Sequence, residues 1–154
     1  MISQNIINDL NNRVKNSSAL DILRFCSKQF GKQINFASSL GEEDQIITDM
    51  IAQAELPIEI FTLDTGRMFQ ETYELIEKTQ KRYPSINYKI FFPQAHTVEE
   101  MVKLHGINLF YKNVDNRKLC CGIRKVEPLK RALEHVDAWI CGLRRSQSIT
   151  RSQL

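Results

Sequence analysis

The sequence predicts an α/β fold, a twisted parallel sheet with helices on both faces, and three observations support that prediction. Four short apolar runs have the length and composition of buried strands. Amphipathic segments with helical spacing separate these runs. Strands that alternate with helices are typical of a parallel sheet covered on both sides. At 154 residues the chain has the size of one domain with one sizeable core.

The first part of the chain is predicted to be helical. Apolar side chains recur at helical spacing over residues 4–30, interrupted by the polar stretch NNRVKNSSALD, where Ser17 or Ser18 is suited to cap a second helix. The first strand follows in KQINFASS and runs into a loop at Ser38–Gly41. The next helix, EEDQIITDMIAQA, has one apolar face formed by Ile46, Ile47, Met50, Ile51 and Ala54.

Three further strands and three further helices complete the prediction. The strands are IEIFTL, which follows the helix-breaking Pro57, INYKIFF and DAWICGL. The helices are MFQETYELIEKTQKRY, whose apolar face carries Phe69, Tyr73, Ile76 and Tyr83, then TVEEMVKLHG and EPLKRALEHV. Pro128 fits the first turn of the last helix or a kink within a longer one. The stretch NLFYKNVDNRK is predicted to be a loop, and RRSQSITRSQL a polar terminal loop.

Four loops are predicted to lie together at one edge of the sheet. In such sheets ligands bind where the carboxyl ends of the strands emerge. The loops at those ends are SSLGEED, LDTGRM, FFPQAH and CGLRRSQSITR. We therefore expect these loops to be neighbours and to form the functional site.

Composition and cysteine use indicate a cytoplasmic protein. No apolar run approaches the ~20 residues that cross a bilayer, and the sequence MISQNIINDLNNRVKN lacks the features of a signal peptide. A reducing compartment disfavours disulfides, so the adjacent Cys120 and Cys121 are expected to be thiols, thiolates or metal ligands. Cys26 and Cys141 lie in apolar patterns and are predicted to be buried.

The basic residues are concentrated late in the chain. The net charge of +3 is too small to indicate nucleic-acid binding by itself. Residues 112–131, however, contain seven basic and two acidic residues, and residues 143–151 contain three arginines and no acidic residue. This distribution favours an anionic small molecule or a phosphate as the ligand.

Two of the loops suit parts of a nucleotide, although each also fits an ordinary turn. SSLG offers two hydroxyls, a glycine and the exposed amides of a helix start, which suit a phosphate or sulfate; a capped strand-to-helix turn is the alternative. In LDTG, Asp64 and Thr65 suit a ribose or base, and Gly66 allows a close backbone approach. The alternative there is a tight turn in which Asp64 caps the next helix.

The last loop suggests anion binding. In GLRRSQSITR, three arginines can make bidentate contacts with phosphate or sulfate and two neutral side chains add donors, the alternative being an ordinary surface loop. These residues are Arg144, Arg145, Gln147, Ser148 and Arg151.

The cysteine pair lies in KLCCGIRKVEPLK, among basic residues that favour thiolates and offset the charge of an iron–sulfur cluster. These basic residues are Arg117, Lys118, Arg124 and Lys125. Zinc would need two further ligands, for which His105, His135 and Cys141 are candidates without a familiar spacing. Two cysteines do not complete the four-thiolate shell of a cluster either.

Together, SSLGEED, LDTGRMFQETY, CCGIRKVEPLKRAL and GLRRSQSITR resemble, in order and spacing, the motifs of the assimilatory sulfonucleotide reductases. The resemblance runs from about residue 33 to the end. It assigns residues 1–32 to an amino-terminal helical segment and residues 33–154 to a sulfonucleotide-reductase-like α/β domain, with an adenine-nucleotide alpha-hydrolase-like (Rossmann-like) fold. The last motif departs from the family pattern, because Ser146 and Ile149 replace the usual Glu and Pro.

The resemblance implies an adenylyl-sulfate reductase, which reduces adenosine 5′-phosphosulfate to sulfite and AMP in sulfate assimilation for cysteine biosynthesis. In that family a cysteine thiolate near the carboxyl terminus attacks the sulfate sulfur, and thioredoxin, glutaredoxin or glutathione resolves the S-sulfocysteine. Members with a Cys-Cys pair bind a 4Fe-4S cluster and generally prefer the substrate without a 3′-phosphate. Reduction of the 3′-phosphorylated substrate is the alternative.

Carried over residue by residue, the resemblance also assigns roles. The residues implied to bind substrate are Ser38, Ser39 and Gly41 for the phosphosulfate, Leu63, Asp64, Thr65 and Gly66 for adenosine, and Arg144, Arg145, Gln147, Ser148 and Arg151 for the anion. Lys125 is implied to bridge cluster and sulfate electrostatically. Cys120 and Cys121 are implied to be two of the four cluster ligands.

The family's other two ligands form a C-x-x-C, and its nucleophile lies in an E-C-G-hydrophobic-H tail, but neither motif occurs in the 154 residues. We therefore expect a chain truncated before them, which binds substrate but lacks a complete cluster and turnover. Two other classes compete with this interpretation. A pyrophosphatase of the related ATP-binding fold would show a fuller S-G-G-x-D-S loop, and a non-enzymatic zinc or nucleic-acid module would leave LDTG unexplained. We expect neither a nucleic-acid nor a membrane partner.

Overall fold

The computed structural model describes residues 3–143, which form an α/β fold. The strands are β1 (Ile34–Ala37), β2 (Glu59–Leu63), β3 (Tyr88–Phe91) and β4 (Ala138–Cys141). The α-helices are α1 (Gln4–Val14), α2 (Ala19–Phe30), α3 (Glu42–Gln53), α4 (Gln70–Arg82), α5 (Ala95–His105), α6 (Val114–Cys121) and α7 (Glu127–Ala132). A 3-10 turn spans Leu109–Tyr111 and a π-helical turn spans Gly122–Val126.

The four strands form a parallel sheet in the order β3-β2-β1-β4. Phe36 of β1 is in register with Ile60 of β2 and with Ile140 of β4. The chain steps from β1 to β2 and β3 in one direction and then crosses back to β4. Because parallel crossovers are almost always right-handed, α3 and α4 cover one face and the helices between β3 and β4 cover the other. The prediction of a parallel sheet with helices on both faces is confirmed.

One face of the sheet carries the larger part of the hydrophobic core. Ile34 and Phe36 of β1 and Ile60 of β2 are buried and pack against Leu23 of α2 and Ile51 of α3. Residues two apart in a strand point to the same face, which explains why Ile34 and Phe36 act together. Both helices were predicted from their apolar spacing, and the apolar residues at that spacing include Leu23 and Ile51, which pack on the sheet.

The other face of the sheet packs against α7. Phe61 of β2 contacts Phe91 of β3 edge to face, with ring centroids 5.8 Å apart. The buried Asn35 side chain donates from Nδ2 to the carbonyl oxygen of Ala132 in α7 at 3.3 Å. These contacts place α7, and the π-helical turn that precedes it, beside the central strands.

The amino-terminal helices follow the predicted pattern. Ser18 caps α2, because its hydroxyl oxygen accepts a hydrogen bond from the Asp21 amide at 3.2 Å. The alternative cap, Ser17, is not used. Helix α1 has no buried residue, and its Ile6 side chain is 52% exposed.

The loop predicted for NLFYKNVDNRK is wrong, since this stretch contains the 3-10 turn and the beginning of α6. Leu109 is fully buried and packs with Met101 and Cys120 in a second apolar cluster. Asn113 caps α6 by accepting a hydrogen bond from the Asn116 amide at 2.8 Å. The turn depends on tertiary contacts with α5, which a short polar sequence does not reveal.

Helix α6, the π-helical turn and α7 form one continuous helical segment, and Pro128 lies in the first turn of α7 within it, as the first alternative predicts. The residues at both junctions, Cys121 and Val126, have right-handed helical backbone angles. Proline has no amide hydrogen and cannot continue the hydrogen-bond ladder of an α-helix. The irregular π-helical turn lies directly before it, as expected for a helix distorted at a proline.

Three residues assigned to the apolar faces of the helices after β1 and β2 are exposed: Ile46, Phe69 and, at 38%, Tyr73. Ile46 of α3 is 57% exposed, because α3 contacts the core through Ile47, Met50 and Ile51 instead. Phe69 is 80% exposed and lies just before α4, where it lines a cavity at the carboxyl edge of the sheet. Its exposure therefore has a possible functional reason, whereas that of Ile46 has none in the fold.

Candidate functional site

A cavity of about 570 Å³ opens at the carboxyl edge of the sheet, where the sequence predicts the functional site. Its volume suits a small-molecule ligand. Residues that line it come from β2 and β4, from the loops after β1, β2 and β4, from the first turn of α3, from the π-helical turn and from α7: Ser38, Ser39, Asp44, Leu63, Thr65, Met68, Phe69, Lys125, Leu129, Trp139, Cys141 and Gly142. A larger cavity of about 790 Å³ lies at the amino edge. The carboxyl-edge cavity is the better candidate because it contains the predicted residues.

Three of the four predicted loops meet at this cavity. The fourth, FFPQAH, does not line it, because β3 is the outer strand on that side of the sheet. It is nevertheless next to LDTG, since the Asp64 amide donates to the carbonyl oxygen of Phe91 at 2.9 Å. SSLGEED, LDTGRM and residues 141–143 of the last loop are thus neighbours at this cavity. That these loops form the functional site stays a prediction.

The SSLG loop is held in an unusual backbone conformation. Ser38 is buried, and its amide donates to the carbonyl oxygen of Phe61 at 2.8 Å. Its hydroxyl oxygen accepts a hydrogen bond from the Leu40 amide at 3.2 Å. Leu40 has a φ of 66°, a left-handed conformation that is rare for a residue with a side chain. Such strained loops are more common at functional sites than elsewhere.

Asp44 in the first turn of α3 holds the second serine of this loop. Its Oδ2 accepts hydrogen bonds from both the amide and the hydroxyl of Ser39, each at 2.6 Å. The Asp44 side chain is buried, so both bonds are shielded from water. The Ser39 hydroxyl, predicted to bind an anion, is therefore already engaged. Gly41 has no side chain to cap α3, which leaves the helix start accessible to a ligand.

Gly142 joins the first and last motifs of the sequence. A Cβ atom built on this residue would lie 2.1 Å from Asp44 Oδ1, much closer than any van der Waals contact. Only glycine allows the chain after β4 to lie against the first turn of α3. The contact places the beginning of the arginine-rich loop beside SSLG.

The Asp64 carboxylate of LDTG holds its own turn. Asp64 is buried, and its Oδ1 accepts hydrogen bonds from the Gly66 amide at 2.6 Å and from the Tyr73 hydroxyl at 3.2 Å. Gly66 has a φ of 68°, which favours glycine. Desolvation, with a hydrogen bond to Asp64 and its negative charge, raises the pKa of Tyr73. The carboxylate thus stabilises a tight turn, whereas Thr65 lines the cavity.

Two arginines anchor this loop to other parts of the chain. Arg67 donates to the carbonyl oxygen of Ile107 at 2.9 Å and to Oδ1 of Asn108 at 3.1 Å. Arg124, in the π-helical turn, donates to the carbonyl oxygen of Thr65 at 2.6 Å. Sequence reasoning gave Arg67 no role and assigned Arg124 only to the cysteine pair. Each partner is 40 or more residues away, so no local pattern identifies these bonds.

A buried tyrosine lies beneath the SSLG loop. Burial raises the pKa of Tyr88 to about 12, although the nearby Ser38 and Thr62 hydroxyls act in the opposite direction. Within residues 3–143 the Tyr88 hydroxyl has no partner in hydrogen-bond geometry, so these hydroxyls are close neighbours rather than bonded groups. Sequence reasoning assigned Tyr88 only to a strand.

The cysteine pair is divided between the protein interior and the surface. Cys120 is buried in the apolar cluster of Met101 and Leu109, and Cys121 is exposed. Cys26 is half-buried against the core, and burial raises its pKa. Across the described residues, no group of three or more Cys, His, Asp or Glu side chains is placed to hold a metal ion. The candidate zinc ligands His105, His135 and Cys141 are thus not assembled with the pair.

Two other predictions meet different outcomes. Cys141 was expected to be a buried hydrophobic residue, but it is half-buried and lines the cavity, because it ends β4 at the carboxyl edge. Lys125 is exposed and also lines the cavity. The predicted anion-binding residues Arg144, Arg145, Gln147, Ser148 and Arg151 lie outside the described residues.

Known proteins resemble this chain over most of its length. A family model described as the phosphoadenosine phosphosulfate reductase domain matches residues 33–154. The adenosine 5′-phosphosulfate reductase of Burkholderia cepacia is 48% identical over 124 residues, which cover 79% of this chain and 48% of that protein. The adenosine 5′-phosphosulfate reductase of Allochromatium vinosum is 41% identical over 140 residues, which cover 91% of this chain and 54% of that protein. The chain spans about half the length of these curated relatives.

A solved structure shares the fold. The phosphoadenylyl-sulfate reductase of Candida auris, determined as a phosphate complex, superposes with a TM-score of 0.81 at 30% sequence identity. The superposition covers 96% of this chain and 71% of that one. The likeness therefore extends over the whole described architecture, including the amino-terminal helices.

Proposed function

The chain belongs to the phosphoadenosine phosphosulfate reductase domain family, and on that premise we propose that the protein reduces adenosine 5′-phosphosulfate to sulfite and AMP in sulfate assimilation. The observation that carries this proposal is the single cavity in which SSLG, LDTG and Lys125 meet. The names of the relatives support the same substrate. Reduction of the 3′-phosphorylated substrate, the activity named for the Candida auris protein, is the second candidate.

We propose that backbone groups contribute most of the binding by the described residues. The start of α3 and the SSLG backbone hold the phosphosulfate, because Ser38 and Ser39 already form internal hydrogen bonds. Leu63, Thr65 and Gly66 hold adenosine. Asp64 acts indirectly by maintaining the turn that presents them.

The positive charge that faces the sulfate comes from side chains around the cavity. The Lys125 ammonium lies on the cavity wall and neutralises the developing charge of the departing groups. We propose that Arg144, Arg145 and Arg151 add bidentate contacts, with Gln147 and Ser148 as neutral donors.

The proposed reaction is a transfer of the sulfo group to a thiolate followed by reduction. A cysteine thiolate attacks the sulfate sulfur, the S–O bond to AMP breaks, and AMP leaves with the bonding electrons. A thiol of thioredoxin, glutaredoxin or glutathione then attacks the resulting S-sulfocysteine, and sulfite departs as a disulfide forms. The residues of this chain bind and orient the nucleotide, because the nucleophile implied by the resemblance lies in a motif outside the 154 residues.

The residues present do not form a complete iron–sulfur site. A 4Fe-4S cluster is held by four thiolates, and Cys120 and Cys121 supply two. Cys26 and Cys141 are not grouped with them in the described structure. We propose that the pair contributes half of a cluster site and that two further thiolates come from polypeptide outside these residues.

We further propose a cytoplasmic location, because Cys26, Cys120 and Cys121 are free thiols and such thiols suit a reducing compartment. None of the helices within residues 3–143 has the length and apolar character needed to cross a bilayer.

Calorimetry with three ligands tests the proposed function. Adenosine 5′-phosphosulfate and AMP are expected to bind more tightly than adenosine, because only they carry the anionic groups. Lys125→Met is expected to weaken the binding of adenosine 5′-phosphosulfate by about tenfold, because one charged contact is lost, and to weaken the binding of AMP by less. Lys130→Met, which removes an exposed charge outside the cavity, is the matched control. Equal affinity of the wild type for adenosine and AMP contradicts the proposal.

A further inference from the structure

The side chain of Arg124 is buried, and none of the ion pairs within residues 3–143 includes it. It is 8% exposed, although an arginine is costly to bury unless its charge is paired. Among residues 3–143, no carboxylate forms an ion pair with it, and its buried Nε has no hydrogen-bond partner. A residue kept only for stability would not leave a charge in this position.

The contact that Arg124 does make is with the nucleotide-binding loop. One terminal nitrogen donates to the Thr65 carbonyl oxygen at 2.6 Å, and a Cβ on Gly66 would lie 3.1 Å from the same nitrogen. Arg124 itself does not line the cavity, whereas Thr65 and Lys125 do. Any influence of Arg124 on a ligand therefore passes through the loop that it holds.

The helical segment that carries Arg124 also carries the cysteine pair. Arg124 lies four residues after Cys120, in the continuous helical segment formed by α6, the π-helical turn and α7. Cys120 anchors that segment in the apolar cluster with Met101 and Leu109. The hydrogen bond to Thr65 spans 59 residues of sequence and joins two rigidly packed parts of the fold.

We infer that Arg124 is a positioning residue that couples the helical segment bearing Cys120 and Cys121 to the LDTG loop. Nucleotide binding at the loop then stabilises the segment, and order in the segment strengthens nucleotide binding, because energetic coupling between two sites is reciprocal. The inference rests on the proposed nucleotide site and adds to it a link to the cysteine pair.

Amide hydrogen exchange with mass spectrometry tests the coupling. Arg124→Met keeps an unbranched apolar chain as far as the position of Nε but has no charge and no donor, and Arg124→Gln is a second variant in case the first does not fold. Lys130→Met removes an exposed charge from the same helical segment and is the control. Arg124→Lys retains one donor for the Thr65 carbonyl and is expected to restore part of the wild-type behaviour.

Without nucleotide, residues 63–67 are expected to exchange faster in Arg124→Met than in the wild type. With saturating AMP, exchange over residues 114–126 is expected to slow in the wild type and in Lys130→Met but not in Arg124→Met. AMP affinity of Arg124→Met falls by about tenfold, the loss expected for one charged hydrogen bond. The thermal midpoint stays close to that of the wild type, since a buried unpaired charge is removed.

Wild-type exchange and wild-type AMP protection in Arg124→Met would overturn the inference. Failure of the wild type to bind AMP is a different result, because it removes the proposed function. In that case the measurement without nucleotide still decides the link: unchanged exchange of residues 63–67 in Arg124→Met refutes it.

Discussion

Gly142→Ala tests whether the beginning of the last loop is locked against α3. The new Cβ would lie 2.1 Å from Asp44 Oδ1, 3.2 Å from Asp44 Cγ and 3.3 Å from the Cβ of Glu43. An ordinary contact needs about 3.5 Å or more, so the carboxylate or the backbone has to move by on the order of 1 Å. The carboxylate does not move freely, because its other oxygen accepts two hydrogen bonds of 2.6 Å from Ser39.

The expected cost follows from these contacts. Overpacking a buried site costs about 1–3 kcal/mol, and weakening a charged hydrogen bond costs about 1.5–3 kcal/mol. A shift of the Asp44 carboxylate reduces the clash but weakens its hydrogen bonds, so the two costs do not add in full. We expect a loss of about 2–4 kcal/mol in the free energy of unfolding. For a chain of this size the thermal midpoint then falls by roughly 5–12 °C.

Urea denaturation followed by circular dichroism measures this loss. Gly122→Ala is the matched control, because Gly122 has a φ of −55° and no atom within 4 Å of an added Cβ. It is expected to leave stability unchanged or raise it by about 0.4–1 kcal/mol. In the double variant Gly142→Ala with Asp44→Ala, the two losses are expected not to add, because the second change removes the clashing oxygen. A Gly142→Ala chain within about 0.5 kcal/mol of the wild type would refute the reasoning.

Three other outcomes are expected. Arg144→Ala weakens AMP binding in calorimetry by about 1.5–3 kcal/mol, the contribution of a hydrogen bond to a charged group; an unchanged affinity contradicts the anion role. Burial raises the pKa of Tyr88 from about 10, the value of a free tyrosine, to about 12. This contribution to stability is therefore fully present below about pH 10 and is lost between about pH 10 and pH 12, because the unfolded state releases the proton first. Tyr88→Phe should show a shallower fall in urea titrations over that range, and identical slopes contradict the shift. After anaerobic reconstitution, the 154-residue chain is expected to hold little iron and sulfide. A version extended with C-x-x-C and the E-C-G-hydrophobic-H tail is expected to hold a cluster. Four irons on the short chain would mean that Cys26 or Cys141 is a ligand.

Several elements of the site were accessible from sequence because they depend on residues close together in the chain. The SSLG and LDTG loops follow apolar strands, and parallel strands end at one edge, so their meeting was predictable. Asp64 illustrates the limit of that reasoning. Its position in the loop was identified, but its bonds to Gly66 and Tyr73 show a carboxylate that maintains the turn.

The alternation of strands and helices and the parallel sheet were determined by the sequence itself, since apolar period and turn residues are local properties. That the functional site lies at the carboxyl edge stays a prediction. Tertiary structure alone decided that Gly142 packs on Asp44, that Leu109 and Cys120 share a buried cluster, and that Arg124 holds Thr65. Gly142 and Asp44, like Arg124 and Thr65, are far apart in the chain, and they meet because the strand order β3-β2-β1-β4 returns the last helical segment and β4 across the sheet. Leu109 and Cys120 are closer in the chain but belong to different helical elements, so the spacing of neither element predicts their contact. Local spacing carries no record of that crossing, so the residues that connect the motifs appear only once the chain is folded.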